Sequence, residues 1–266
     1  MASYPLPVIY FAPETRLGLG AYATLVFKLN KNDTISRKSN VQPYFIYTIN
    51  KQILSSIGYT LFFNHENYRT EGEFFYNYFP ENYYGIGNNL SGFMPDIISY
   101  NWIKISNKTT RKVANGLVVG LNYDFVNMCD LKGSAGGLLE TTKPTGYDGS
   151  VISGIGTVLT YDTKDNVLNA SNGWYADLST TFYSIYFGSQ YEFQKVKIVV
   201  RYYNTVWKKL NQVLALQLFA QFIPGDVPFK HLSKLGGDVI MRGYYTGRYR
   251  DHHYVAFQAE YRIPIW

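Results

Sequence analysis

The chain has 266 residues, enough for one large β domain or two ordinary ones, and its 18% aromatic content, with 26 Tyr and 17 Phe, exceeds what a soluble core needs. No run approaches the roughly 18 apolar residues of a membrane-crossing helix, and the single Cys129 excludes an internal disulfide framework and argues against a zinc site. The net charge of +6 comes with no basic helix or recognition motif, so nucleic acid is not an expected partner.

Helical signals are almost absent along the chain. Residues 8–11 (Val8, Ile9, Tyr10, Phe11) read as a short first strand between Pro5, Pro7 and Pro13, which makes it a weakly paired edge because proline cannot donate to a ladder. Ala12 to Thr15 make a turn. Leu17, Leu19, Ala21, Ala23, Leu25 and Phe27 then alternate with polar and small residues in a long strand. After the polar run 30–40, residues 41–50 pair with 53–63 across Lys51-Gln52, a hairpin signal. In the strand 68–79 Phe74, Tyr76 and Tyr78 share one face, while Arg69, Glu71 and Glu73 share the other. Charges on one strand face need water or partners, which a wet lumen supplies and a dry core does not.

Further strands are expected at about 97–106, 113–126, 151–162, 174–187, 191–207 and 213–222, and a closing strand at about 254–266. In that last strand Val255, Phe257, Ala259, Tyr261, Ile263 and Ile265 fall on one face and Gln258, Glu260 and Arg262 on the other. The total is about 12 strands, each near the ~9–11 residues a tilted strand needs to cross hydrocarbon. With the first strand rising from the periplasm, the long connections near 80–96, 127–150 and 223–253 all fall on the outer side, as outer-membrane barrels require. The expected fold is therefore all-β, one transmembrane antiparallel barrel over residues 1–266. Met1-Ala2-Ser3 does not read as a signal peptide, so the expectation is a mature or engineered form of an exported protein.

Gly236-Gly237, then Met241-Arg242-Gly243-Tyr244, then a last strand ending on Trp266 resemble the BamA/TamA family of bacterial outer-membrane assembly barrels. The turn Asp162 to Asn166 leading to Gly173-Trp174 is similar to that family's, with Ala170 where the family usually has proline. The resemblance covers essentially the whole chain. It implies an extracellular lid at about 223–253 folded into the lumen, a lateral gate between the first and last strands, and a bacterial outer-membrane location. It departs from the family in leaving no room for periplasmic POTRA domains and in stopping near 12 strands rather than the usual sixteen. Closure as a smaller barrel is the expectation, since an open edge facing lipid is untenable.

The resemblance also supplies site expectations. Arg242, with Gly243 and Tyr244, is expected to enter the lumen and pair with Glu260, Glu71, Glu73 or Asp177. The seam is expected to be formed by Val8, Ile9, Tyr10 and Phe11 on one side and Phe257, Tyr261, Ile263 and Trp266 on the other. Lys230, Lys234, Arg248 and Arg250 are candidates for lipid or lipopolysaccharide phosphates. No cofactor or metal is expected, and no catalysis: the four histidines His65, His231, His252 and His253 lie in turns or beside the lid, without a serine and an acid on adjoining strands. The implied function is non-enzymatic, helping nascent outer-membrane or secreted proteins by perturbing the bilayer at the seam, with a homo-oligomer an open option. A lipid-transporting barrel without protein clients and a small-solute diffusion pore are the rival readings.

Overall fold

The computed structural model describes residues 2–12, 16–88, 94–237 and 240–264. Of the turn predicted at 12–15, residues 13–15 lie outside the described residues, as do the terminal Ile265 and Trp266, while Ala12 ends the first strand. One antiparallel meander accounts for the molecule. It starts with β1 (Ala2–Ala12), β2 (Arg16–Phe27), β3 (Ser39–Thr48), β4 (Ile53–Phe63) and β5 (Tyr68–Tyr78). A three-residue strand β6 (Glu81–Tyr83) precedes β7 (Asp96–Ala114) and β8 (Leu117–Lys132). A short helix α1 (Leu138–Thr142) leads to β9 (Ser150–Asp162), β10 (Gly173–Tyr183), β11 (Phe193–Trp207) and β12 (Gln212–Phe222). The lid then carries β13 (Ser233–Lys234) and β14 (Arg250–Asp251) before β15 (His253–Arg262). Each long strand pairs with its sequence neighbour, giving a path from β1 to β15 with β6 paired onto the start of β7.

Alternation turns this sheet into a transmembrane barrel. Leu19, Phe45, Ile57, Phe74, Leu121 and Phe257 are exposed on the outer face, and so large an apolar belt suits hydrocarbon rather than water. The opposite parity carries Glu71, Lys108, Asn122, Asp177 and Lys197, which face the polar lumen. Close approach bends the wall where side chains are missing. A Cβ at Gly156 would run into the Thr180 carbonyl oxygen, so β9 and β10 can lie this close only with glycine there.

Two expectations are corrected. β1 is not confined to residues 8–11; it runs from Ala2 to Ala12 in unbroken register with β2, Pro5 opposite Ala23 and Pro7 opposite Ala21. Pro5 and Pro7 share a parity, so such a ladder is possible only if both nitrogens face away from β2. The predicted gap at residues 107–112 is mid-ladder: β7 continues to Ala114 and β8 starts at Leu117, with Ala114 opposite Leu117. The turn between them is Asn115-Gly116, with Gly116 at φ +73°, a left-handed conformation that glycine adopts without a Cβ clash. β7 and β8, at 19 and 16 residues, outrun the ~9–11 residues that hydrocarbon requires and project beyond it. β1 and β15 are the two ends of the path, and among the described residues no ladder joins them.

Candidate functional site

Three features hold chemistry: a lid at one end, a lumen beneath it, and the two end strands. The lid is seated by an apolar cluster. Ile223, Val227, Phe229 and Leu232 of the lid pack with Tyr83, Ile98, Tyr100, Met128, Leu139 and Ile152 of the rim. Phe229 stands edge-on to Tyr83 at 5.0 Å between ring centres. Its amide donates to the Thr145 carbonyl at 2.9 Å. The Gly87 amide donates to the Arg250 carbonyl at 2.8 Å, tying a neighbouring loop to the lid.

Inside this seat lies an ionic cluster. Lys230 pairs with Glu81 and donates to the Tyr100 hydroxyl at 2.6 Å, and Tyr100 in turn donates to Glu81 at 3.0 Å. The guanidinium of Arg250 is 3.8 Å from the same carboxylate and 5.1 Å from the Tyr83 ring centre. Lys230 and Arg250 are 4% and 2% exposed, so these charges have left bulk water and depend on their partner. Burial alone would raise the Glu81 carboxyl, but Lys230, Lys234 and Arg250 outweigh it and hold it down to about 2. His231, whose ring lies tilted against Trp102 at 5.3 Å between ring centres, is kept neutral, because burial and the neighbouring lysines push its imidazole well below the ordinary value.

Lys108 divides the lumen below. It is 3.6 Å from Glu71 and 3.7 Å from Asp177, bridging β5 and β10. Glu71 and Lys108 line both the cavity above, of about 710 Å³, and the cavity below, of about 740 Å³. At the end away from the lid, Asp33 accepts hydrogen bonds from the hydroxyl and amide of Ser36 and from the amides of Ile35 and His65. These hold its carboxyl far below the usual range, and Arg37 pairs with Glu66 beside it at 3.0 Å.

The predicted site residues are distributed differently. Arg242, Gly243 and Tyr244 are exposed, and the four expected acids are engaged elsewhere. Glu260 takes Arg262 at 2.6 Å, Glu73 takes the Ser56 hydroxyl at 2.6 Å, and Glu71 and Asp177 share Lys108. The buried lid cations are Lys230 and Arg250, and their acid is Glu81, which sequence reasoning left in a loop. Lys230 and Arg250 are therefore corrected as lipid-phosphate candidates, since burial against Glu81 withdraws both from the surface. Lys234 is half-buried beside them, and Arg248 alone of the four is exposed, near Tyr84 and Tyr249. Among the seam residues Ile9, Phe11, Phe257, Tyr261 and Ile263 are exposed, while Val8 and Tyr10 are half-buried. Ser3, Tyr4, Pro5, Leu6 and Pro7 are exposed in succession, so both faces of this half of β1 are open.

Comparison with known proteins gives one family and one fold. A model of the Omp85 superfamily domain matches residues 16–266. Among solved structures, the crystal structure of BamA from Haemophilus ducreyi lacking POTRA domains 1-3 superimposes with a TM-score of 0.59 at 15% identity. The match covers 92% of this chain and 46% of that one, so the chain spans about half the length of that structure. No curated protein matches the chain.

Proposed function

The chain belongs to the Omp85 superfamily, and from that membership we propose that it works, without catalysis, in the outer membrane of a Gram-negative bacterium, helping other proteins insert into or cross it. The proposed working element is the seam between β1 and β15, where a locally weakened barrel wall disturbs the adjoining bilayer. One observation carries this reading. β1 is an end strand whose free edge lacks N–H donors at Pro5 and Pro7, with both faces of that half exposed. An edge short of donors forms a poor ladder with any partner. Arg248, an exposed cation of the lid, is the proposed contact for lipopolysaccharide phosphates at the rim.

The test is assisted folding. Proteoliposomes holding the full chain should accelerate the folding of a second, urea-denatured outer-membrane barrel relative to empty liposomes. Equal rates would overturn the reading. Equal rates together with faster phospholipid exchange between leaflets would transfer the function to lipids, and ion conductance without either effect would make the chain a pore.

A further inference from the structure

We propose that the lumen beneath the lid is a binding chamber for a phosphate dianion. Lys104 on β7, Lys195 and Lys197 on β11 and Lys234 of the lid line one cavity of about 710 Å³. Among the described residues none of these four takes part in an ion pair, whereas Lys108 and Lys230, which line the same cavity, do. Lys195 is close enough to Lys104, Lys197 and Lys234 to be repelled by all three, and Asp124 is the acid that offsets part of that repulsion.

The acids of the chamber do not balance them. Glu71 is committed to Arg69 and Lys108. Glu73 and Asp124 remain, the first accepting from Ser56 at 2.6 Å and the second from Tyr183 at 2.7 Å. Asp177 and Glu81 also act on Lys197 and Lys234, but each is already shared with another cation, so the four ammonium groups leave an excess of positive charge that a phosphate or phosphate monoester dianion would neutralise. Lysines act as point-charge phosphate ligands and need no planar fork. Such donors from opposite walls suit a tetrahedral group with several oxygens better than a halide, which would cancel only one charge.

Access is also defined. The apolar seat of the lid closes one end, while at the other the chamber adjoins the second cavity, with Glu71 and Lys108 lining both. A phosphate group would therefore enter from the end opposite the lid, past Lys108. Both inorganic phosphate and a phosphorylated headgroup carry the required chemistry.

Isothermal titration of the full chain, folded in zwitterionic detergent, with inorganic phosphate at constant ionic strength tests this. The expected result is one site per chain, weakened at least about tenfold in K104Q/K195Q/K197Q and retained in K104R/K195R/K197R. Each single Gln variant should weaken binding about threefold, which keeps the test open if the triple variant does not fold, as judged by heat-modified gel mobility. No binding by the native chain, or equal binding by the folded Gln variants, overturns the proposal. A parallel titration with nanodiscs containing phosphatidic acid separates the sources: binding seen only there, and unchanged in the Gln variants, would put the phosphate on the outer surface and overturn the chamber.

Discussion

Glu81 holds two lid cations at once, so the lid's attachment should depend on it more than on any exposed residue of the loop. Removing one partner of a buried pair leaves the other charge unpaired, at a cost of about 3–5 kcal/mol. Glu81→Gln should accordingly lower the temperature at which the folded form disappears from a semi-native gel, while Arg242→Ala, at an exposed position, should change it much less. Equal effects of the two substitutions would show that the cluster does not fasten the lid. The pH dependence has a definite sign. A carboxyl lowered to about 2 from 4.5 stabilises the fold fully above 4.5 and progressively less as pH falls towards 2. Lid protection from protease, followed between pH 6 and 2, should therefore fall in that acid window in the native chain and not in Glu81→Gln. The cluster was not legible in the sequence because Glu81 and Lys230 are 149 positions apart and neither belongs to a motif. Arg242 was singled out because its local pattern is distinctive, and local pattern does not report which cation of a basic loop is buried.

Strands were far more legible than side-chain partners, for a physical reason. One face of each must be apolar to meet lipid, so the period-2 signal is strong wherever both faces have a definite environment. The strand 53–63 was readable to the residue, as were the ends, though not the starts, of the strands closing at Asp162, Trp207 and Phe222. Legibility failed where that contrast fades. Asn107 to Lys112 carry polar side chains on both faces, and the stretch reads as a loop although the ladder continues through it. The Asn115-Gly116 pair was the available signal for the true turn. Gly116→Ala places a Cβ 2.8 Å from the Asp162 carbonyl oxygen in addition to forcing a left-handed backbone, which alone costs about 1–2 kcal/mol. Unfolding in urea should show a loss of at least that much stability and a lower midpoint, and an unchanged midpoint would mean that the turn relaxes into another form.

For the molecule as a whole, the proposed seam raises the question of why a barrel of this size would have a weak line at all. Among the described residues, every interior strand of the path has both edges paired, and of the path's strands β1 and β15 alone have an edge outside its ladders. Closing them together would satisfy backbone groups that lipid cannot, so a strong seam is the default for any barrel. Pro5 and Pro7 oppose it: their nitrogens must face away from β2 for that ladder to form, which removes two donors from the edge that β15 would meet. Their removal is therefore the informative change. Pro5→Ala/Pro7→Ala restores both donors without adding bulk and leaves the β1–β2 register as it is. The expected outcome is a folded barrel more resistant to heat, by about 1 kcal/mol for each hydrogen bond gained, together with slower assisted folding of a second barrel. Greater stability without slower assistance would separate the seam from the activity. Unchanged stability would mean that backbone donors do not limit this edge, and the weakness would have to come from the exposed faces of β1 instead.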